Sequence, residues 1–151
     1  MNPANLRELK RVEVTILVDN YTDLLLIQST PVVKRAAVLP PNAFLAEHGF
    51  SCLIKTVDTE EHLFLMDVGI SGICLLHNAR VLKSDLDKVE ALILSHGHFD
   101  HCWALPEILP RLPKGIPIVL HPSAFLSRRF NLPALKIEVP MPSPPDENRM
   151  K

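Results

Sequence analysis

From Val12 to Val18 apolar residues fall at every second position, with Val12, Val14, Ile16 and Val18 on one side of an extended chain and Glu13, Thr15 and Leu17 on the other. That alternation predicts a half-buried edge strand, ended by Asp19-Asn20. Leu24 to Ile27 suit a short piece of structure, and Pro31, Pro40 and Pro41 then leave little room for helix or strand, so this stretch reads as a loop facing a site. Phe50 to Val57 and His62 to Met66 are β-rich and joined by Asp58-Thr59-Glu60-Glu61, which predicts a hairpin. Past Gly69 and Gly72 the stripe Ile73, Leu75, Leu76, Ala79, Val81 and Leu82 predicts a helix packed on a sheet, and Ser84-Asp85-Leu86-Asp87 supply a cap and a short helical turn.

The run Ala91-Leu92-Ile93-Leu94 has the length and bulk of a buried strand and stops at Ser95-His96-Gly97-His98-Phe99-Asp100-His101. Trp103, Leu105, Ile108, Leu109 and Leu112 predict a helix over His101 to Leu112, with Pro106 tolerable in its first turns and Pro110 ending or kinking it. Ile116 to Leu120 reads as another short buried strand and Pro122 to Arg129 as a short helix. The alternation of strands and helices implies α/β layering over one domain, residues 10–132. Residues 1–9 are polar and read as a flexible tail. Residues 133–151, with Pro133, Pro140, Pro142, Pro144 and Pro145, read as a Pro-rich disordered tail.

The 151 residues are 47% apolar, enough for a sizeable core, and 16 basic against 17 acidic residues give a net charge of −1. A nucleic-acid or anionic-membrane partner is therefore not indicated. No apolar run approaches the ~18 residues of a membrane span. The N-terminus carries charges where a secretory signal needs an apolar core, and Cys52, Cys74 and Cys102 have no framework spacing, so a cytoplasmic setting is expected.

The chemistry is concentrated after Leu94, where three histidines and an aspartate fall within six positions. His96 and His98 sit two apart, so in an extended segment their imidazoles point the same way and can converge on one cation. Gly97 lets the backbone turn between them. Asp100 and His101 follow on the next bend and could hold a second ion, and two ions roughly 3.5 to 4 Å apart could bridge a hydroxide. The plainer reading is a hydrogen-bonded turn with Asp100 capping a helix.

HGHFDH, following an apolar strand, resembles the HxHxDH signature of the metallo-β-lactamase superfamily of metal-dependent hydrolases, and Phe64-Leu65-Met66-Asp67-Val68-Gly69 is similar to that family's strand ending in Asp-x-Gly. Leu45 to Ser51, with Asp19-Asn20 upstream, resembles a branch that includes dihydropterin-ribofuranosylaminobenzene phosphate synthase-like proteins. The resemblance implies an α/β fold, the first half of an αββα four-layer sandwich, with a mixed sheet and helices on one face. It implies a dinuclear, zinc-dependent hydrolase, with iron or manganese as other metals, acting on a small-molecule ester or phosphoester through a metal-activated water. By this reading His96 and His98 hold one ion and Asp100 and His101 the other. Asp100 also takes or relays the proton of the water, and Asp67 orients a ligand with Ser95 as a further donor. His121, at a strand end, is either a metal or substrate contact or a surface histidine, and His48 beside Glu47 either lines the cleft or belongs to a loop pair. Cys102 is expected to pack rather than ligate. Trp103 and Ala104 stand where the family shows a glycine pair.

The resemblance covers Arg11 to Arg129. In the family a third histidine, a bridging aspartate and a last histidine come from a second half, and no matching residues follow His121. Two expectations result: weak cation binding in a truncated, catalytically inactive metal-binding or interaction module, and an apolar inner sheet face that a homo-oligomer would cover. The remaining alternative is a redox or structural role for Cys102.

Overall fold

A computed structural model of the chain describes residues 7–141 and Pro144. Its centre is a five-stranded mixed sheet of β1 (Arg11–Val18), β2 (Ser51–Val57), β3 (Glu61–Met66), β4 (Ala91–Ile93) and β5 (Ile118–Val119), ordered as in the chain. The first three strands are antiparallel neighbours, and β4 and β5 run parallel to β3. Helix α1 (Gly72–Val81) makes the crossover between β3 and β4, while the short helices α2 (Phe99–Cys102) and α3 (Leu105–Ile108) lie between β4 and β5.

Register decides which side of the sheet holds the core. Thr15, Leu53, Leu65, Leu92 and Ile118 stand opposite one another on successive strands and so share a face. Leu53, Leu65 and Leu92 are buried there in one cluster with Leu75 and Ala79 of α1 and Leu105 and Ile108 of α3. The other face carries the row Val14, Ile54, Phe64, Ala91 and the row Ile16, Cys52, Met66, Ile93, Val119, none of which joins that cluster. The helices thus cover one face.

The first strand departs from its expected burial. It is the edge strand foreseen, yet Val12, Val14 and Ile16 are exposed, and the pairing slips between Ile16 and Val18. That bulge lets Leu17 and Val18 both turn inward, where strict alternation would bury only one.

The helix expected over His101 to Leu112 is broken at Trp103 and Ala104, and a 3-10 turn, Leu109–Arg111, follows α3. Pro106 has no N–H for the carbonyl of Cys102, and its ring would collide with that carbonyl in a continuous helix. The helix expected over Pro122 to Arg129 is only a 3-10 turn, Pro122–Phe125. Beyond it β6 (Arg128–Leu132) pairs antiparallel with β7 (Ile137–Met141) in a separate two-stranded sheet. The tail expected to be disordered from residue 133 therefore begins as a hairpin, with Arg129 paired to Glu138 across it. The rest of that tail, save Pro144, and residues 1–6 lie outside the described residues.

The long segment between β1 and β2 has no regular structure and is pinned by side chains of α1. Asn78, buried, accepts from the Leu45 N–H at 2.9 Å and donates to the carbonyls of Leu17 at 2.7 Å and Leu45 at 2.8 Å. His77 reaches the carbonyl of Ala43 at 2.8 Å. Asn78→Ala removes three bonds, one to buried Leu17 and two to the exposed Leu45, and is expected to cost about 3 kcal/mol in urea denaturation. A loss below about 1 kcal/mol would show that the segment is held by other means.

Candidate functional site

The site begins where β3 and β4 end side by side. Asp67 follows β3 in a left-handed conformation, φ 55°, and its N–H donates to the carbonyl of Ile93 at 2.8 Å. This places the carboxylate beneath the start of the histidine segment. Asp67 is 1% exposed, and its carboxylate accepts from the Ser95 N–H at 2.8 Å, from Ser95 Oγ at 2.6 Å and from His101 Nδ1 at 2.8 Å.

These contacts fix which ring nitrogens carry the proton. A carboxylate only accepts, so His101 carries its proton on Nδ1 and leaves the lone pair on Nε2. Ser95 has one hydroxyl proton, and it goes to Asp67. Towards His96 Nδ1, at 2.9 Å, Ser95 Oγ must therefore accept, which puts the His96 proton on Nδ1 and leaves Nε2 an acceptor, with His98 Nδ1 donating to it at 2.9 Å. Burial, and then the neighbouring imidazoles of His101 and His98, hold His96 below the ordinary histidine range and so favour the neutral ring a cation needs.

The three imidazoles cluster. The His96 ring centroid is 4.2 Å from that of His101 and 4.6 Å from that of His98, and His96 Nε2 meets His98 Nδ1 at 2.9 Å. Asp100 is not a helix cap, since His98 holds that position at α2. Its carboxylate instead lies 3.6 Å from His101 Nε2 and 3.5 Å from His48 Nε2.

Three imidazoles and a carboxylate are the right kinds of donor for a zinc-type cation. Their number at any one point is too small. Among the described residues no three His, Cys, Asp or Glu side chains are disposed to hold one ion. His96 with His98 and Asp100 with His101 are two pairs of donors, each short of the three protein ligands that a catalytic zinc takes.

The remaining candidates separate. Glu47 is turned away from the histidines: its carboxylate accepts from the N–H groups of Ile70 at 3.0 Å and Ser71 at 2.9 Å and from Ser71 Oγ at 2.6 Å, clamping the start of α1. That accounts for its charge through the unpaired donors of a helix start. His121 is exposed and accepts from the Ser123 N–H at 3.2 Å, capping its own 3-10 turn; the structure brings it to none of the motif's side chains. Cys102 is buried, its thiol donates to the His98 carbonyl at 3.1 Å, and burial pushes its pKa up to about 11, so it is a packed, protonated thiol. Ala104 is fully buried where the chain approaches Gly69, while Trp103 stays exposed beside Phe99.

Two supports were not singled out from the sequence. Ser51, buried at the start of β2, donates to the Asp67 carbonyl at 2.9 Å, and the Phe50 N–H donates to the Asp100 carbonyl at 3.3 Å. The segment Glu47 to Ser51 is thus laid against both aspartates of the site. Leu45 to Ser51 stand out in the sequence only by resemblance to a family branch, which does not reveal these contacts.

Comparison with known proteins places the chain in a family. The family model described as the metallo-beta-lactamase superfamily matches residues 46–148. An uncharacterised protein of Methanocaldococcus jannaschii is 35% identical over 85 residues, 56% of this chain and 32% of that protein. The 7,8-dihydropterin-6-methyl-4-(beta-D-ribofuranosyl)-aminobenzene-5'-phosphate synthase of the same organism is 34% identical over 83 residues, 54% of this chain and 28% of that protein. Ribonuclease J of Mycobacterium tuberculosis is 44% identical over 45 residues, 30% of this chain and 8% of that protein. The matched stretch is about a third of the length of the first two relatives. A family model that covers most of the chain, on a mixed sheet with HGHFDH at the end of an inner strand, leaves one assignment: the chain belongs to the metallo-β-lactamase superfamily.

Proposed function

We propose that this chain supplies the first set of donors of a divalent-cation centre whose completed form hydrolyses a small ester or phosphoester. The observation that carries this reading is the reach of Asp67: one buried carboxylate sets the tautomers of His101 directly and of His96 through Ser95, leaving both Nε2 atoms with lone pairs. A helix cap or a solvated polar turn has no use for that arrangement.

His96 and His98 are the donors assigned to one ion and Asp100 and His101 to the other, with zinc the first choice and iron or manganese admitted by the same ligand types. Such an ion, when bound, supplies a hydroxide near neutral pH. Asp100 is the residue assigned to taking the proton from water, and His48 at 3.5 Å from its carboxylate is the neighbour to pass it to solvent. One relative is named a synthase, so the reaction of the whole protein is open to other transfers at a phosphate or pterin-linked centre.

A second reading is favoured because no three donors among the described residues are disposed about one point: a cation-binding module without turnover. Zinc titration of the chain, with generic phosphodiester and lactone hydrolysis followed with and without chelator, separates the two. Stoichiometric zinc with chelator-sensitive turnover supports the hydrolase. Zinc lost in a His96→Ala, His98→Ala double variant, but no turnover in either protein, supports the module. Equal titrations for wild type and the double variant would dispose of both.

No helix among the described residues is long and apolar enough to cross a membrane.

A further inference from the structure

We propose that Arg128 is a positioning residue for the donor pair His96 and His98, acting through the turn Pro122–Phe125 on which Gly97 rests. The inference rests on the cation reading for the use made of that pair, while the geometry it describes is open to test without a cation.

The guanidinium of Arg128 closes over the end of the turn. Its Nη1 donates to the carbonyls of Ala124 and Leu126 and its Nη2 to the carbonyl of Ser123, each at 2.9 Å. The last carbonyls of a helical turn lack partners within it, and a rigid, planar fork of donors can serve several of them at once. His121 caps the other end through the Ser123 N–H, so side chains hold the turn from both sides.

A cap by itself is a local matter, and the contact that carries it to the site is made by Gly97. This residue is buried, and a Cβ built on it would overlap the Ala124 carbonyl oxygen. Gly97 is not among the residues of positive φ, so glycine is needed here for room rather than for backbone conformation. One carbonyl thus receives Arg128 and abuts the residue between the two histidines. The backbone pairing of β4 with β5 ends at the Leu94 N–H on the Val119 carbonyl, and among the described residues no hydrogen bond ties residues 95–98 to 120–128. Packing against Ala124 therefore sets the back of the histidine segment, and Arg128 sets Ala124.

The rings report the result. His98 Nδ1 donates to His96 Nε2 at 2.9 Å, a bond between residues two apart that depends on where Gly97 sits between them. His101 is held separately, by Asp67. Loss of the Arg128 fork should accordingly act on His98 and leave His101 as it is.

Nitrogen chemical shifts of the full chain without cation test this in wild type, Arg128→Ala and Arg129→Ala, with far-UV circular dichroism to show that each is folded. Arg129 is the control, since it pairs with Glu138 across the hairpin and donates to none of the three carbonyls. The expected result is a single Nδ1–H form of His98 in wild type and Arg129→Ala, a mixture of tautomers in Arg128→Ala, and His101 unchanged in all three. Zinc should then bind about tenfold more weakly to Arg128→Ala alone. Arg128→Lys keeps the charge but gathers its donors on one nitrogen, so it should recover only part of the His98 form. His98 shifts that do not differ between wild type and Arg128→Ala, or Arg128→Lys if only that variant folds, would overturn the proposal. So would His98 and His101 moving together, the sign of general loosening, or altered His98 shifts with unchanged zinc affinity. A wild type that binds no zinc would refute the cation reading and leave the shifts to decide on Arg128.

Discussion

Gly49→Ala is expected to destabilise the chain by about 3–5 kcal/mol, a large part of the stability of an ordinary domain. Gly49 has φ +125°, a conformation that strains any L side chain, and a Cβ built there would overlap the carbonyl oxygen of Asp100. Strain and overpacking therefore add. The methyl group would also lift Glu47 to Ser51 away from Asp100, breaking the Phe50 N–H bond to the Asp100 carbonyl and drawing His48 from the carboxylate. Gly115→Ala is the control, since Gly115 has φ +77° with nothing within 4 Å of a built Cβ. Urea denaturation of both variants gives the comparison. If Gly49→Ala costs no more than Gly115→Ala, close docking of the segment on the aspartate is refuted.

Asp67→Asn is expected to have the largest effect on cation binding, a loss of about 10- to 100-fold. The amide is nearly isosteric but turns one acceptor into a donor. Ser95 N–H, Ser95 Oγ and His101 Nδ1 all point at the original carboxylate, so at least one of them meets an N–H. The consequence reaches both donor pairs, because the His96 tautomer depends on where Ser95 spends its proton. Nitrogen chemical shifts of His96 and His101 in the cation-free protein should move from a single Nδ1–H form to a mixture. Unchanged shifts together with unchanged zinc affinity would mean that Asp67 is only a packing group.

Much of the fold is written locally. The hairpin of β2 and β3, helix α1 and the buried run that becomes β4 were each readable from residues close together in the chain, since alternation and helical stripes are short-range patterns. The errors fell where distant packing or proline geometry decides. Pro106 was compatible with a helix start, but it starts α3 anew and so breaks the longer helix. Arg128 to Met141 looked like a helix end and a Pro-rich tail; pairing of Phe130 with Val139 and of Leu132 with Ile137 makes it a hairpin. Glu47, a candidate for the cleft from its neighbours, is drawn instead to N–H groups more than twenty residues on.

The sequence by itself determined the inventory of the site: four donor side chains in one hexad after an apolar strand, and an aspartate ending the strand before it. Residue type and spacing suffice for that, because a short segment leaving a strand cannot scatter its side chains far. Only the tertiary structure decided which ring nitrogens carry the proton. Protonation of a ring follows its hydrogen-bond partners, and the partner that matters, Asp67, comes from another strand. The tertiary structure likewise decided that apolar residues of the edge strand stay open, because their burial depends on a covering layer that the described residues do not provide.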